Sequence, residues 1–197
     1  MAVGRAWDDC LIANAFGTNQ TGNDAANLSA ETFNTSLYQI SDSFGASGSV
    51  GLTVAKMIET KRIFRHYHVD LESDPVTMVI GSKQESDLLN QVQFVSTEYN
   101  DRPVLVDGSV RRFMGFDIVV MERLPSPSSL RNVLAFAKSG LYLGMWKDTT
   151  NRVSIRNELS SEPYDLFTST MFGATRTQPG KVLQILCADT TGADITP

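Results

Sequence analysis

Apolar residues recur at helical spacing near the start of the chain. Trp7, Cys10, Leu11, Asn14 and Ala15 fall on one face of a helix predicted over residues 5–16, and Gly17 stops it. From Gly17 to Asn27 mostly Gly, Thr, Asn, Asp and Ala follow, which is loop chemistry. Residues 28–50 are largely polar, with Phe33, Leu37, Tyr38 and Ile40 giving a weak strand or turn signal, and 44–51 reads as a flexible Gly/Ser connector. The strongest helical pattern runs from Leu52 to about Tyr67. Leu52, Ala55, Ile58, Ile63 and Tyr67 are expected to share its apolar face, leaving Lys56, Glu59, Lys61, Arg62 and Arg65 for solvent or neighbours.

The pattern then turns extended. Val76–Ile80 is a short, continuously apolar run of the kind buried on both faces. Ser82 and Glu85 have the spacing of a capping box that opens a helix with Leu88, Leu89 and Val92 on its core face. Val104–Val106 followed by Asp107-Gly108 predicts a hairpin, and Phe113-Met114-Gly115 leads into a strand over 116–121. The Pro125–Ser129 stretch is stiff and polar, and marks the expected domain junction. Beyond it, 133–136 and 140–146 read as strands. Residues 152–159 alternate, with Val153, Ile155 and Leu159 opposite Arg152, Ser154, Arg156 and Glu158. Two more extended runs, 167–177 and 182–187, are joined by Gln178-Pro-Gly180, and the polar end from Asp189 to Pro197 is expected to fray.

Composition narrows the function classes. The 197 residues carry a net charge of −5, and no more than two basic residues adjoin, which argues against tight nucleic-acid binding through phosphates. Cys10 and Cys187 are far apart and lack metal-ligand spacing, so two buried, reduced thiols are expected. The start has no signal-peptide pattern and no apolar run is long enough to span a membrane. Synthesis and use in the cytoplasm are therefore expected.

Candidate chemistry is thin. His66, His68 and Asp70 resemble a metal or acid/base site, but no third His exists, and a helix end that favours partial positive charge is the simpler reading. Asp8 with Asp9, and Glu158 with Glu162, are carboxylate pairs better explained by solvated faces or subunit contacts. The Gly/Ser connector lacks the Gly-Lys-Ser/Thr of a phosphate loop. Trp7, Trp146 and the ten Phe residues are expected to pack in a core or an interface. The expectation is a non-enzyme with no catalytic, cofactor-binding or metal residues.

Several segments, taken in order, resemble the capsid-protein family of tailed phages, whose fold is shared by herpesvirus capsid floors and encapsulin shells. Asp8 to Asn23 resembles the end of a long spine helix and its polar loop. The helix at 52–67, the strand at 76–80 and Gln84-Glu-Ser-Asp-Leu-Leu89 are similar to the axial domain. Phe113-Met-Gly-Phe-Asp-Ile-Val119 resembles the strand leading out of it. Lys138-Ser-Gly-Leu-Tyr-Leu-Gly144 is similar to the return to the peripheral domain, and Met171–Arg176 with Gly180–Ile185 to a final strand pair.

The resemblance implies a mixed α+β fold. Residues 1–35 would be the spine-helix end and loop, 40–125 an axial domain, and 128–197 the closing strands of a peripheral domain. It implies a structural subunit of pentamers and hexamers in an icosahedral head, made in the host cytoplasm and housed in the virion. Expected partners are copies of itself, with portal, scaffold or decoration proteins beside them, weak non-specific contact with packaged DNA, and no membrane. The arm and extended loop that precede the spine helix in the family have no counterpart ahead of Trp7, so the chain is expected to be a fragment or a truncated prophage copy, a monomer or small ring that does not close into shells. An encapsulin-like compartment shell is the structural alternative; an enzyme using His66, His68 and Asp70 is the distant one.

Overall fold

The computed structural model describes residues 2–22, 24, 26–91, 105–106, 109–156 and 163–189. Its centre is a six-stranded mixed sheet of order β3-β12-β9-β4-β8-β7, built from β3 (Gln39–Ile40), β4 (Val76–Ile80), β7 (Arg112–Phe113), β8 (Phe116–Val120), β9 (Leu130–Ala137) and β12 (Val182–Ala188). β4 runs parallel to β8 and β12 parallel to β3, while β9 runs antiparallel between β12 and β4. This confirms the α+β class.

Both faces of the sheet are covered, which is why Val76–Ile80 reads as an unbroken apolar run. Val76, Met78 and Ile80 point into one core with Val133, Ala135, Leu183 and Ile185, beneath α3 (Val54–His66) and α4 (Ser82–Leu89). Val79, Leu134 and Val182 point the other way, against Ile12 and Ala15 of α1 (Ala2–Phe16). Alternate residues of one strand thus serve two cores.

Two local expectations need correcting. In α3 the buried face is Lys56, Met57, Thr60, Ile63 and Phe64, while Ile58 is exposed. Thr53 caps the helix, its hydroxyl accepting from the Lys56 amide at 3.3 Å, so the helix begins later than expected and its face is rotated. In α4 the N-cap is Gly81 rather than Ser82. The Gln84 side chain accepts from the Gly81 amide at 3.1 Å, and the Glu122 carboxylate receives the Ser82 amide. A carboxylate at this helix N-terminus complements its dipole. The core contact of Leu88 holds, and Val92 lies outside the described residues.

The turns are as expected. β5 (Leu105–Val106) pairs antiparallel with β6 (Ser109–Val110), with 107–108 outside the described residues. Phe113 pairs with Phe116 around Met114 at φ 53° and Gly115 at φ 92°, the two positive φ values of a type I′ turn. The sheet continues across the stretch 125–129. β9, directly after it, sits between β12 and β4 in the same sheet as β8, so hydrogen bonds run across the expected junction.

The remaining large element leaves the sheet. β10 (Leu141–Ile155) and β11 (Tyr164–Arg176) form a separate two-stranded antiparallel ribbon, with α1 packed on its base. β11 and β12 are therefore not partners: β11 pairs with β10, and β12 with β9 and β3. Shorter pieces, β1 (Asn19–Thr21) with β2 (Ser29–Glu31) and α2 (Thr35–Tyr38), connect α1 to the sheet.

Candidate functional site

Among the described residues the chemical candidates do not converge. His66 ends α3, with its ring edge-on to Tyr67 at 5.2 Å, and the His68 amide donates to the Arg65 carbonyl at 3.1 Å, closing the helix. Asp70 accepts from the Glu72 amide at 3.2 Å, and hydrogen bonds from Glu72 and then Ser73 hold its carboxyl below the usual range. Among the described residues no three His, Cys, Asp or Glu side chains come together as metal ligands. Asp9 is paired with Arg123, whose guanidinium lowers its pKa. Asp8 lines an apolar groove between α1 and the sheet instead. Glu158 and Glu162 lie outside the described residues.

Three basic side chains hold the body together. Lys56 is fully buried and donates to the carbonyls of Val50, Gly51 and Leu186 at 2.8, 2.9 and 2.9 Å. Burial pushes its pKa down, and the neighbouring Cys187 thiol is pushed up to about 12 by burial. Arg131 bridges Glu122 and Asp189 at 3.2 and 2.8 Å, tying the end of β12 to the loop after β8. Arg176, also buried, donates to the carbonyls of Ala15 and Gly17 at the C-terminal end of α1 and lies over the Phe33 ring at 5.3 Å. That places a cation where the helix dipole is negative. Cys10 is half-buried rather than buried, and both thiols are free.

What stands out instead is a surface. The ribbon exposes Tyr142, Trp146, Val153, Tyr164 and Leu166 by 63, 91, 64, 73 and 78%. A two-stranded hairpin is marginal on its own in water, and α1 covers only the base of this one. Contiguous exposed apolar groups of this kind mark surfaces that meet another molecule. Composition and alternation correctly indicated strands here. Nothing in the local pattern indicated that the apolar side of 152–155 would be left uncovered, or that Trp146 would be the most exposed of the described large apolar residues. Lys56 was also missed, although Thr53 as a cap would have set the helix face correctly.

The described residues form an α+β body with an outlying ribbon that exposes apolar side chains. A family model described as phage capsid protein matches residues 1–189, and the chain belongs to that family. Its fold is that of the capsid of cyanophage P-SCSP1u, at TM-score 0.64 and 12% identity, over 96% of this chain and 64% of that one. A structure of Mycobacterium phage Che8 follows at TM-score 0.62 and 14% identity, over 93% and 60%, and the mature capsid of bacteriophage PhiM1 at 0.56 and 11%, over 96% and 63%. The chain spans about three-fifths of the length of these solved chains. A search of curated proteins finds no match. The encapsulin-like alternative is less supported than the phage reading.

Proposed function

We propose that this chain is a subunit of a tailed-phage head, packing as pentamers and hexamers into an icosahedral shell around the genome. The observation that carries this reading is the family match over 1–189. The fold supports a redrawn division. The six-stranded sheet with α3 and α4 is the axial body, and α1 with the β10–β11 ribbon is the peripheral part. β9 and β12 go with the axial sheet because their hydrogen bonds do.

Synthesis in the host cytoplasm, and contacts with portal, scaffold or decoration proteins, belong to the same proposal. Contact with packaged DNA is weak and non-specific, in keeping with the net charge of −5. Mass spectrometry of purified phage heads tests it. Peptides of this chain are expected among the most abundant in the head fraction; their absence from heads, with presence in another particle or in a soluble cell extract only, refutes the proposal.

A further inference from the structure

We propose that the groove between α1 and the sheet is a binding site for a small aliphatic amphiphile with one cationic head group. This goes beyond the capsid-subunit reading and does not depend on it. On the α1 side the groove is lined by Asp8 and, one helical turn further on, by Leu11 and Ile12. On the sheet side Val119, Val79 and Leu134 form one cross-strand row over β8, β4 and β9, and Thr77 with Phe136 belongs to the next. The helix covers only part of this floor. Val79 and Leu134 are buried against Ile12 and Ala15, whereas Val119, on the neighbouring strand, is 43% exposed. What remains is a cavity of about 330 Å³. That is roughly twice the ~150 Å³ that takes up one benzene molecule, so a body of about twelve carbons fits. Apolar walls with very few polar groups, at this volume, are the make-up of a small-molecule site.

The polar groups choose the head. Asp8 and Thr77 are the two polar residues of the lining, and only Asp8 carries a charge. The adjacent Asp9 takes the two hydrogen bonds of Arg123. The Asp8 carboxylate has neither hydrogen bond nor ion pair among the described residues, and Arg123 senses it through charge alone. A half-buried carboxylate beside an apolar wall thus lacks a partner to offset its lost hydration. A cationic head supplies that partner while its chain covers Val119 and Phe136. An anionic head is repelled at the same point, so the sign of the charge decides the class of ligand. With about thirteen non-hydrogen atoms on a groove open to solvent, the dissociation constant falls in roughly the submillimolar range.

Isothermal titration calorimetry of the purified chain with dodecylammonium and with dodecanoate, each below its micelle concentration, tests this. Expected is one dodecylammonium bound per chain, on the order of tenfold more tightly than dodecanoate. Asp8→Asn should bring the two ligands to within about twofold of each other, and Val119→Lys should weaken dodecylammonium on the order of tenfold. Val119 is largely open and the Asp8 carboxylate unpartnered, so both variants should keep the melting temperature. If one of them does not fold, the comparison of head groups on the unaltered chain still decides. Equal affinity for the two ligands, no binding of either, or binding that both variants leave intact overturns the proposal. Self-association in sedimentation velocity that Val119→Lys abolishes, without binding of dodecylammonium, assigns the groove to a second copy and overturns it too. None of these outcomes touches the capsid reading, which the head-fraction assay decides.

Discussion

Replacing Lys56 with methionine asks whether a buried charge holds this fold together. The ammonium sits among three carbonyls at 2.8–2.9 Å that belong to separate parts of the chain: Val50 and Gly51 before α3, and Leu186 in β12. Methionine keeps the length and removes every donor. The Val50 carbonyl retains the Ala188 amide at 3.0 Å, so the loss falls mainly on Gly51 and Leu186. Each hydrogen bond to a charged group is worth about 1.5–3 kcal/mol, and an acceptor left bare in the interior costs about 1–3 kcal/mol. Against this stand the relief of burying the ammonium and an apolar gain of about 1.5–3 kcal/mol for the new side chain. The net is a loss of about 3 kcal/mol, which for a domain of this size lowers the melting temperature by about 6–12 °C. Circular dichroism melts measure it, and hydrogen exchange should show the Ala188 amide opening first. An equal or higher melting temperature for Lys56→Met refutes the reasoning, because the ion would then be a burden that apolar packing improves on.

Arg176→Ala removes the donors at the end of α1 together with the stacking on Phe33, and should cost about 2–3 kcal/mol by urea denaturation; a loss within 0.5 kcal/mol, roughly the noise of surface changes, counts against the cap. Asp9, Glu59 and Glu122 are held below the usual carboxylate range, mainly by hydrogen bonds from Arg123, Arg62 and Ser82 respectively. Their stabilisation is present above an unfolded pKa of about 4 and lost as pH falls through the folded values. Melting temperature should therefore drop below about pH 4, and a flat profile there contradicts it. Thiol titration with a chromogenic disulfide should label Cys10 readily in the native chain and reach Cys187 only on unfolding, because burial keeps Cys187 protonated up to about 12. Equal labelling rates would show the sheet core open at β12.

The parts of this fold that were legible in the sequence are those decided by neighbours along the chain. Gly17 ending α1, the uniform apolar run of β4 and the Met114-Gly115 turn all follow from local sterics and burial on both sides of a strand. The face of α3 was misjudged because a lysine counts as polar in any pattern, yet three carbonyls brought by distant segments make it a core residue. The stretch Pro125–Ser129 meets the same limit. Stiff, polar residues report a turn, whereas membership of a sheet is settled by strands far away in sequence, here Val76–Ile80 and Val182–Ala188 on either side of β9.

The ribbon is a different case, because there the pattern was right and the chain alone does not satisfy it. Alternation across Arg152–Ile155 implies one buried side, and Val153 and Ile155 do share a face with Leu166 and Tyr164. All four remain at least half exposed. Shared burial of that side therefore has to come from outside the residues described, as must any cover for Phe167 and Met171 opposite. A monomeric protein gains nothing from two exposed apolar faces on a slender ribbon, since each face invites aggregation. A subunit that meets copies of itself at fixed angles gains contacts from them, and closure of the shell removes the liability because no apolar face is left over.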